Sequence, residues 1–168
     1  MALAVALLLD PAATAAVRAI WEEMATLGIS TSMIDQGYPP HVTLLVVDEE
    51  GLAPTLDLHL PELAAHARLE LKIGAVGRFD GGDVVYLGCE GEGLKPLQMQ
   101  AAALVPPGTI NVHYRPERWT PHVTLQTGGH ADAAIELVTE LWAGMDARSV
   151  AVELLRFPPV ATLKRLGV

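Results

Sequence analysis

Two histidines, His41 and His122, each begin a copy of the tetrapeptide HVTL, and a proline precedes both copies. An imidazole has an unperturbed pKa of about 6.5, so its neutral and protonated forms are both accessible near neutral pH. A neutral histidine can take a proton from an attacking water or hydroxyl, while a protonated histidine gives a proton to the leaving oxygen. The pair therefore predicts general acid–base catalysis, and it suits phosphodiester chemistry.

The third residue of each motif is a threonine. In a β-strand, residues i and i+2 point to the same face, so His41 shares a face with Thr43 and His122 shares one with Thr124. The valine and leucine of each motif then point to the opposite face, into the core. Each motif thus presents one imidazole and one hydroxyl on a common side. The two hydroxyls can hold the non-bridging oxygens of a phosphate without a metal ion.

Packing and metal binding are the alternative explanations for these histidines. If HVTL occurred only once, the simpler explanation would be a structural histidine at the start of a strand, with its hydrogen bonds made within the protein. Two histidines in identical contexts are difficult to explain by packing alone. A zinc ion could bind His41, His122 and His113 together, yet the sequence has no HxH or HxxxH pair and only one cysteine, Cys89. Threonine is also a poor zinc ligand. We therefore expect neither a metal nor a cofactor.

The elements that must position the motifs alternate between strand and helix. Apolar runs bounded by turn residues predict strands, and apolar positions at three-to-four-residue spacing predict helices. The predicted strands are 2–9, 41–47, 69–76, 83–89, 122–127, 149–157 and 160–166, and the predicted helices are 12–27, 61–68, 94–104 and 131–142. This succession predicts an α+β fold with mainly antiparallel sheets.

The order of elements also repeats along the chain. PHVTL occurs at 40–44 and again 81 residues later, Arg-Phe at 78–79 and again 78 residues later, and Leu-Gly at 87–88 and again 79 residues later. Loop insertions account for the drift in spacing. We predict two duplicated α/β lobes that form one domain over residues 1–168. The two HVTL strands would then lie side by side across a central, pseudo-twofold cleft.

Composition limits the class of partner. The chain has 168 residues, 51% of them apolar, and a formal net charge of −9. A chain of this size and composition folds around a core, but it lacks the basic surface that binds long nucleic acid. The expected substrate is therefore a small nucleotide or an RNA end.

The N-terminal apolar run ends at Asp10-Pro11. It is much shorter than the ~20 residues of a membrane span, and no basic residue precedes it as in a secretion signal. A single cysteine fits a reducing compartment. We expect a cytoplasmic protein that is monomeric and does not bind membranes.

The two HxTx motifs, together with the run RPERWTPHVTL at 115–125, resemble the signature of the two-histidine phosphoesterase superfamily. Within it, the chain is most similar to the 2′-5′ RNA ligase-like and RNA 2′,3′-cyclic phosphodiesterase family. The resemblance implies a bilobal fold in which His41 and His122 are catalytic and Thr43 and Thr124 bind phosphate. Members of the family hydrolyse 2′,3′-cyclic phosphates or join RNA ends through a 2′-5′ bond without a nucleotide cofactor. Which histidine is the acid and which is the base depends on the direction of the reaction.

Four residues near the motifs are further candidates for substrate binding: Tyr38, Arg115, Arg118 and Trp119. Their aromatic rings can stack a base and their guanidinium groups can pair with phosphate; a packed or solvated loop position is the alternative for each. The chain also departs from the family pattern, because Gln126-Thr127 stands where many relatives carry a basic residue. The departure predicts altered recognition of phosphate or of RNA ends.

Two alternative functions stay open from the sequence. The substrate can be another cyclic phosphate, such as ADP-ribose cyclic phosphate or a cyclic oligonucleotide. The cleft can also belong to a nucleotide-binding module that has no turnover, although binding a phosphate does not by itself require two titrating imidazoles.

Overall fold

The chain contains seven strands and five α-helices, and the computed structural model describes all of residues 1–168. The strands are β1 (Ala2–Leu9), β2 (His41–Val47), β3 (Glu70–Arg78), β4 (Val85–Glu90), β5 (His122–Gln126), β6 (Met145–Phe157) and β7 (Ala161–Gly167). The helices are α1 (Pro11–Thr26), α2 (Ser32–Asp35), α3 (Ala53–Ala65), α4 (Leu94–Ala103) and α5 (Ala131–Leu141). Short 3₁₀ helices lie at Glu50–Leu52, Pro107–Thr109 and Val112–Tyr114. The predicted succession of strands and helices is confirmed except at α2 and α3.

Every strand pairs antiparallel with its neighbours. The strand order is β1-β2-β5-β4-β3-β6-β7, and β1 also pairs with β6. The β1–β6 pairing returns the order to its start, so six strands form a closed series and β7 is joined to β6 alone. The predicted α+β class with antiparallel sheets is therefore confirmed.

The pairings obey a pseudo-twofold relation. The β1–β2 pair corresponds to β4–β5 and the β1–β6 pair to β4–β3, around the two central pairs β2–β5 and β3–β6. The counterpart of β1 is thus β4. The Leu-Gly repeat at 87–88 and 166–167 instead aligned β4 with β7, and this alignment is wrong because β7 is an edge strand without an equivalent in the other half.

The first helix follows β1 directly because Asp10 and Pro11 start it. The Asp10 side chain accepts a hydrogen bond from the backbone N–H of Ala13 at 3.0 Å, and Pro11 occupies the first turn, where a missing N–H costs nothing. One face of α1 is buried against the sheet, including Trp21 and Met24. This packing brings the Trp21 indole close to β5.

Two helices differ from the sequence-based prediction. The helix predicted at 61–68 begins eight residues earlier, at Ala53, and ends at Ala65. The prediction placed Pro61 in its first turn, but the first turn holds Pro54, and Pro61 lies inside the helix. The four-residue helix α2 was not predicted, because a single turn carries no apolar periodicity. None of the helices has the length and apolar character of a membrane span.

Candidate active site

The two motif strands lie side by side and pair antiparallel at Val42 and Val123. A register centred on this pair places His41 opposite Thr124 and His122 opposite Thr43, and residues opposed in an antiparallel ladder share a face. The two valines are fully buried, whereas the four histidine and threonine side chains are partly exposed. The structure therefore brings all four predicted residues together on one face.

Both imidazoles are held by the backbone in the same way. Nδ1 of His41 lies 2.8 Å from the carbonyl oxygen of Pro39, and Nδ1 of His122 lies 2.7 Å from that of Thr120. A carbonyl oxygen only accepts hydrogen bonds, so each Nδ1 must carry the hydrogen. In the neutral tautomer Nε2 is then the acceptor, and it is the atom of each ring that can exchange a proton with a ligand.

Aromatic rings pack against both histidines. The ring of Tyr38 meets His41 edge-on, with 4.8 Å between centroids, and Phe79 and Tyr86 lie 5.0 and 5.3 Å from His122. Edge-to-face contacts of this kind restrict ring rotation. The imidazoles are therefore fixed both by hydrogen bonds and by packing.

Burial makes the two histidines weaker bases than usual. It lowers the pKa of His41 to about 4, and although the Pro39 carbonyl raises that pKa, the nearby His122 lowers it further. Burial also lowers the pKa of His122, against the raising effect of the Thr120 carbonyl. Both rings are therefore neutral at pH 7 in the unliganded site. A bound anion favours the charged form of its neighbours, so a phosphate would restore a protonated histidine.

The histidines open into two adjoining cavities. The His41 cavity, of about 500 Å³, is lined by His41 and Thr43 among others, and the His122 cavity, of about 440 Å³, includes His122. Three residues line both: Tyr114, Thr124 and Thr127. The two cavities together form one continuous cleft across the motif strands.

Tryptophan indoles position both threonines. Nε1 of Trp119 donates to the carbonyl oxygen of Thr43 at 2.9 Å, and Nε1 of Trp21 donates to that of Thr124 at 3.3 Å. Trp119 is only 7% exposed, so the prediction that it stacks a substrate base is wrong. Its buried ring holds β2 through the hydrogen bond to the Thr43 carbonyl.

The family model described as the 2′-5′ RNA ligase superfamily matches residues 10–166, which include both HVTL motifs. The chain belongs to the 2′-5′ RNA ligase superfamily. The family predicted from the paired motifs is thereby confirmed, and its description indicates an enzyme of the RNA ligase type. No curated protein sequence matches the chain.

The fold of this superfamily member is similar to that of several solved structures, and the similarity covers nearly the whole chain. TT0787 of Thermus thermophilus has 17% identity and a TM-score of 0.66, covering 99% of this chain and 97% of its own. E. coli LigT, complexed with 3′-AMP, has 17% identity and a TM-score of 0.61, with coverages of 99% and 96%. A further phosphoesterase has 21% identity and a TM-score of 0.60, with coverages of 99% and 97%. At these identities the similarity shows the shared fold alone.

The remaining predicted substrate-binding residues of this 2′-5′ RNA ligase superfamily member lie in different cavities. Tyr38 lines the His41 cavity and Arg118 lines the His122 cavity. The guanidinium of Arg118 makes no ion pair. Arg115 lines a separate cavity, so its predicted place in the substrate site is wrong; the other residues that line this cavity are Pro107, Gly108, Ile110, Pro116 and Glu117. The chain turns between Arg115 and Arg118, which directs the two side chains into different cavities.

Several cleft residues were not predicted from the sequence. Tyr114 lines both cavities, and it shares the lining of the His41 cavity with Thr43. Phe79 and Phe157 line opposite cavities, and the repeated Arg-Phe pair was the signal that could have identified them.

A buried carboxylate lies beneath the His41 cavity. Glu153 is 3% exposed and accepts a hydrogen bond from the Tyr38 hydroxyl at 2.6 Å. Thr162 donates to the same oxygen at 3.3 Å, and Arg165 lies 3.5 Å from the other. Burial and the Glu153 contact raise the pKa of Tyr38, so the phenol stays protonated and keeps its hydroxyl directed to Glu153. No feature of the strand sequence distinguishes Glu153 from a surface glutamate.

The structure contains no group of three or more histidine, cysteine, aspartate or glutamate side chains placed to hold a metal ion. His113, the possible third zinc ligand, lines the His122 cavity, whereas His41 lines the other.

Gln126 and Thr127, which stand where many relatives carry a basic residue, occupy different environments. Gln126 is fully buried and its amide has no partner, while Thr127 lines the cleft.

Proposed function

We propose that the protein is a metal-independent phosphodiesterase that hydrolyses the 2′,3′-cyclic phosphates of nucleotides or RNA ends. The antiparallel pairing of β2 with β5 carries this proposal. It presents two imidazoles and two threonine hydroxyls on one face, with the Nε2 atom of each imidazole available for proton transfer. These are the groups that cleavage of a phosphodiester requires when no metal activates the water.

The reaction needs one neutral and one protonated histidine. The neutral ring takes a proton from water through Nε2 as the water oxygen bonds to phosphorus. The bond from phosphorus to the 2′ or 3′ oxygen breaks, and the protonated ring supplies the proton that this oxygen needs. The product is a phosphomonoester, and proton exchange with solvent restores the starting pair.

The threonines complete the site. The hydroxyls of Thr43 and Thr124 would donate to the non-bridging oxygens, and the indoles of Trp119 and Trp21 hold the backbone of these two threonines. Two fixed donors stabilise the charge that develops on these oxygens in the transition state, because they need no reorientation as it forms.

Hydrolysis is favoured over ligation in this proposal. The same groups would serve ligation if the 5′-hydroxyl of an RNA replaced the water, but that reaction must hold a second polyanionic strand. Arg118 is the one Lys or Arg side chain that lines the cleft, and the chain carries a net charge of −9. We therefore propose a small nucleotide or a single RNA end as substrate, bound by a monomer.

Turnover of each 2′,3′-cyclic nucleotide in excess EDTA tests the proposal. Phosphorus NMR resolves the 2′- and 3′-phosphate products, and His41→Ala and His122→Ala proteins are compared with a His66→Ala control, whose histidine is exposed at the end of α3. We expect EDTA-resistant formation of one isomer, lost in both motif variants and retained in the control.

Hydrolysis by either motif variant at the wild-type rate would contradict the paired-histidine mechanism. Tight binding of a 2′-phosphate nucleotide without hydrolysis would instead identify a nucleotide-binding module. Hydrolysis of ADP-ribose cyclic phosphate or a cyclic oligonucleotide alone would change the substrate and leave the mechanism intact.

A further inference from the structure

The two halves of the cleft differ in chemistry although their motifs are identical. Half of the sixteen residues that line the His41 cavity are hydrophobic, against three of the twelve that line the His122 cavity. The His41 cavity has no lysine or arginine, whereas the His122 cavity contains Arg118. The more apolar of the two cavities, which has no cation, suits an uncharged ring better than it suits a phosphate.

The repeated Arg-Phe pair contributes to this difference. Phe79 packs against Tyr86, with 4.4 Å between ring centroids, and against His122, so its ring is occupied by protein contacts. Its sequence counterpart Phe157 instead lines the open His41 cavity, next to Pro158. An aromatic ring on the wall of an open cavity provides a surface on which a planar base can stack.

The helix α2 adds a polar group to this apolar cavity. Asp35 lines the cavity, and its Oδ2 accepts a hydrogen bond from the Thr31 hydroxyl at 2.6 Å. Its other oxygen has no hydrogen-bond partner in the protein, and no lysine, arginine or histidine forms an ion pair with it. An ionised carboxylate accepts hydrogen bonds and donates none, so it selects N–H groups on a ligand.

We propose that the His41 cavity binds the nucleobase and that Asp35 accepts a hydrogen bond from its exocyclic amino group. The inference rests on the proposed function, because it assigns the substrate of the same cleft. Cytosine carries an amino group where uracil carries a carbonyl oxygen, and the two rings are otherwise of equal size. The carboxylate attracts the cytosine amino group and repels the uracil oxygen. Asp35 is thus a specificity-determining residue, and cytidine is preferred over uridine.

The ratio of kcat/KM for cytidine 2′,3′-cyclic phosphate to that for uridine 2′,3′-cyclic phosphate measures this preference. We expect a ratio of about 10 or more in the wild type, since a hydrogen bond to a charged group is gained with one base and replaced by repulsion with the other. In Asp35→Asn the ratio should fall to near unity, because an amide can donate to uracil as well as accept from cytosine.

Asp80→Asn is the matched control. It removes a carboxylate from the lining of the His122 cavity and changes the charge of the cleft by the same amount. The cytidine-to-uridine ratio should stay at the wild-type value in this variant. A fall as large as that in Asp35→Asn would mean that the preference comes from overall charge, and would overturn the inference.

Failure of the inference is distinguishable from failure of the proposed function. Hydrolysis of both nucleotides at equal kcat/KM, or an unchanged ratio in Asp35→Asn, would overturn the base site and leave the phosphodiesterase intact. If neither nucleotide is hydrolysed, the affinities of cytidine 2′-phosphate and uridine 2′-phosphate are compared by calorimetry. Tighter binding of the cytidine form that Asp35→Asn abolishes supports the base site even then, and equal binding overturns it.

Discussion

At the scale of single residues, the chemistry depends on how each histidine is oriented and how far its pKa is lowered. A backbone carbonyl two residues upstream fixes Nδ1 of both rings, which leaves Nε2 facing the ligand. Burial then makes each ring neutral at pH 7, with the pKa of His41 at about 4. Lowered pKa values keep the base in its neutral form at pH 7, and they require the substrate phosphate to raise the pKa of its partner.

The pH dependence of kcat/KM follows from these shifts. The free enzyme must hold one neutral and one protonated histidine, so the profile is a bell bounded by the two pKa values. We expect an acid limb near pH 4, set by His41, and an alkaline limb below pH 6.5, set by His122. The profile of kcat should extend to higher pH, because bound phosphate raises the pKa of both rings. A kcat/KM optimum above neutrality would contradict this account of the site.

The sequence predicted the four motif residues because identical contexts and the two-residue period of a strand specify their common face. It could not predict Tyr114, Glu153 or Asp35, since their positions in the cleft result from tertiary packing of loops and strands. It misplaced Trp119 for the same reason. An aromatic residue before a motif is compatible with stacking on substrate or with burial, and only the contact with the Thr43 carbonyl decides between them.

At the scale of elements, the site depends on two strands whose own pairing is short. β2 and β5 pair at Val42 and Val123 alone. Beyond this pair, the carbonyl oxygens of Thr43 and Thr124 accept hydrogen bonds from Trp119 and from Trp21 on α1. The indoles therefore connect the catalytic strands to the elements around them.

Replacement of Trp119 by phenylalanine tests this connection. The variant keeps an aromatic ring in the core but loses the donor to Thr43, so we expect a loss of about 1–2 kcal/mol in the free energy of unfolding. We also expect a lower kcat/KM on cyclic nucleotides, since β2 is released beside its threonine. Urea unfolding and steady-state kinetics measure the two effects.

Trp142→Phe is the control for this variant. Trp142 also donates its indole hydrogen to a strand carbonyl, that of Gly74 at 2.9 Å, but Gly74 lies on β3 and does not line the cleft. A similar loss of stability with unchanged kcat/KM is expected. If Trp119→Phe and Trp142→Phe lose equal activity, the lower kcat/KM of Trp119→Phe results from lost stability and not from the release of β2.

At the scale of the whole molecule, the first and sixth strands join the two ends of the chain. The β1–β6 pairing closes the strand series, and Asp10 reinforces it from the end of β1. One carboxylate oxygen of Asp10 caps α1 at Ala13, and the other accepts the backbone N–H of Arg148 at 2.6 Å. Burial raises the pKa of Asp10, but these backbone hydrogen bonds outweigh it and hold the pKa below 3.8.

Asp10→Ala is expected to lower the free energy of unfolding by about 1–3 kcal/mol, because it removes a helix cap and a link between β1 and β6. Asp10→Asn should lose less, since its amide oxygen still accepts one of the two bonds. A carboxylate whose folded pKa is lowered stabilises the fold above its unfolded pKa, and this contribution is lost as pH falls through the folded value. The difference between wild type and Asp10→Ala in urea unfolding should therefore shrink below about pH 4. A difference that stays constant down to acid pH would contradict the role of the ionised carboxylate.

The sequence predicted most of the succession of elements and the correspondence of β2 with β5, since apolar patterns record the first and the repeated PHVTL records the second. The Leu-Gly repeat misaligned β4 with β7. The closure of the strands through β1 and β6 was not predictable, because strand order depends on contacts distant in sequence. The start of α3 was missed because two prolines, Pro54 and Pro61, each resemble a first-turn residue.

Replacement of His41 and His122 by alanine, singly and together, tests the paired-histidine mechanism most directly. Each single variant should lower kcat on a 2′,3′-cyclic nucleotide by about 10²–10⁴-fold, the usual contribution of a general acid or base. The double variant should be no slower than the worse single variant, because the two groups act as one unit. A single variant within about tenfold of wild-type kcat, or a double variant whose loss equals the product of the two single losses, would contradict the mechanism.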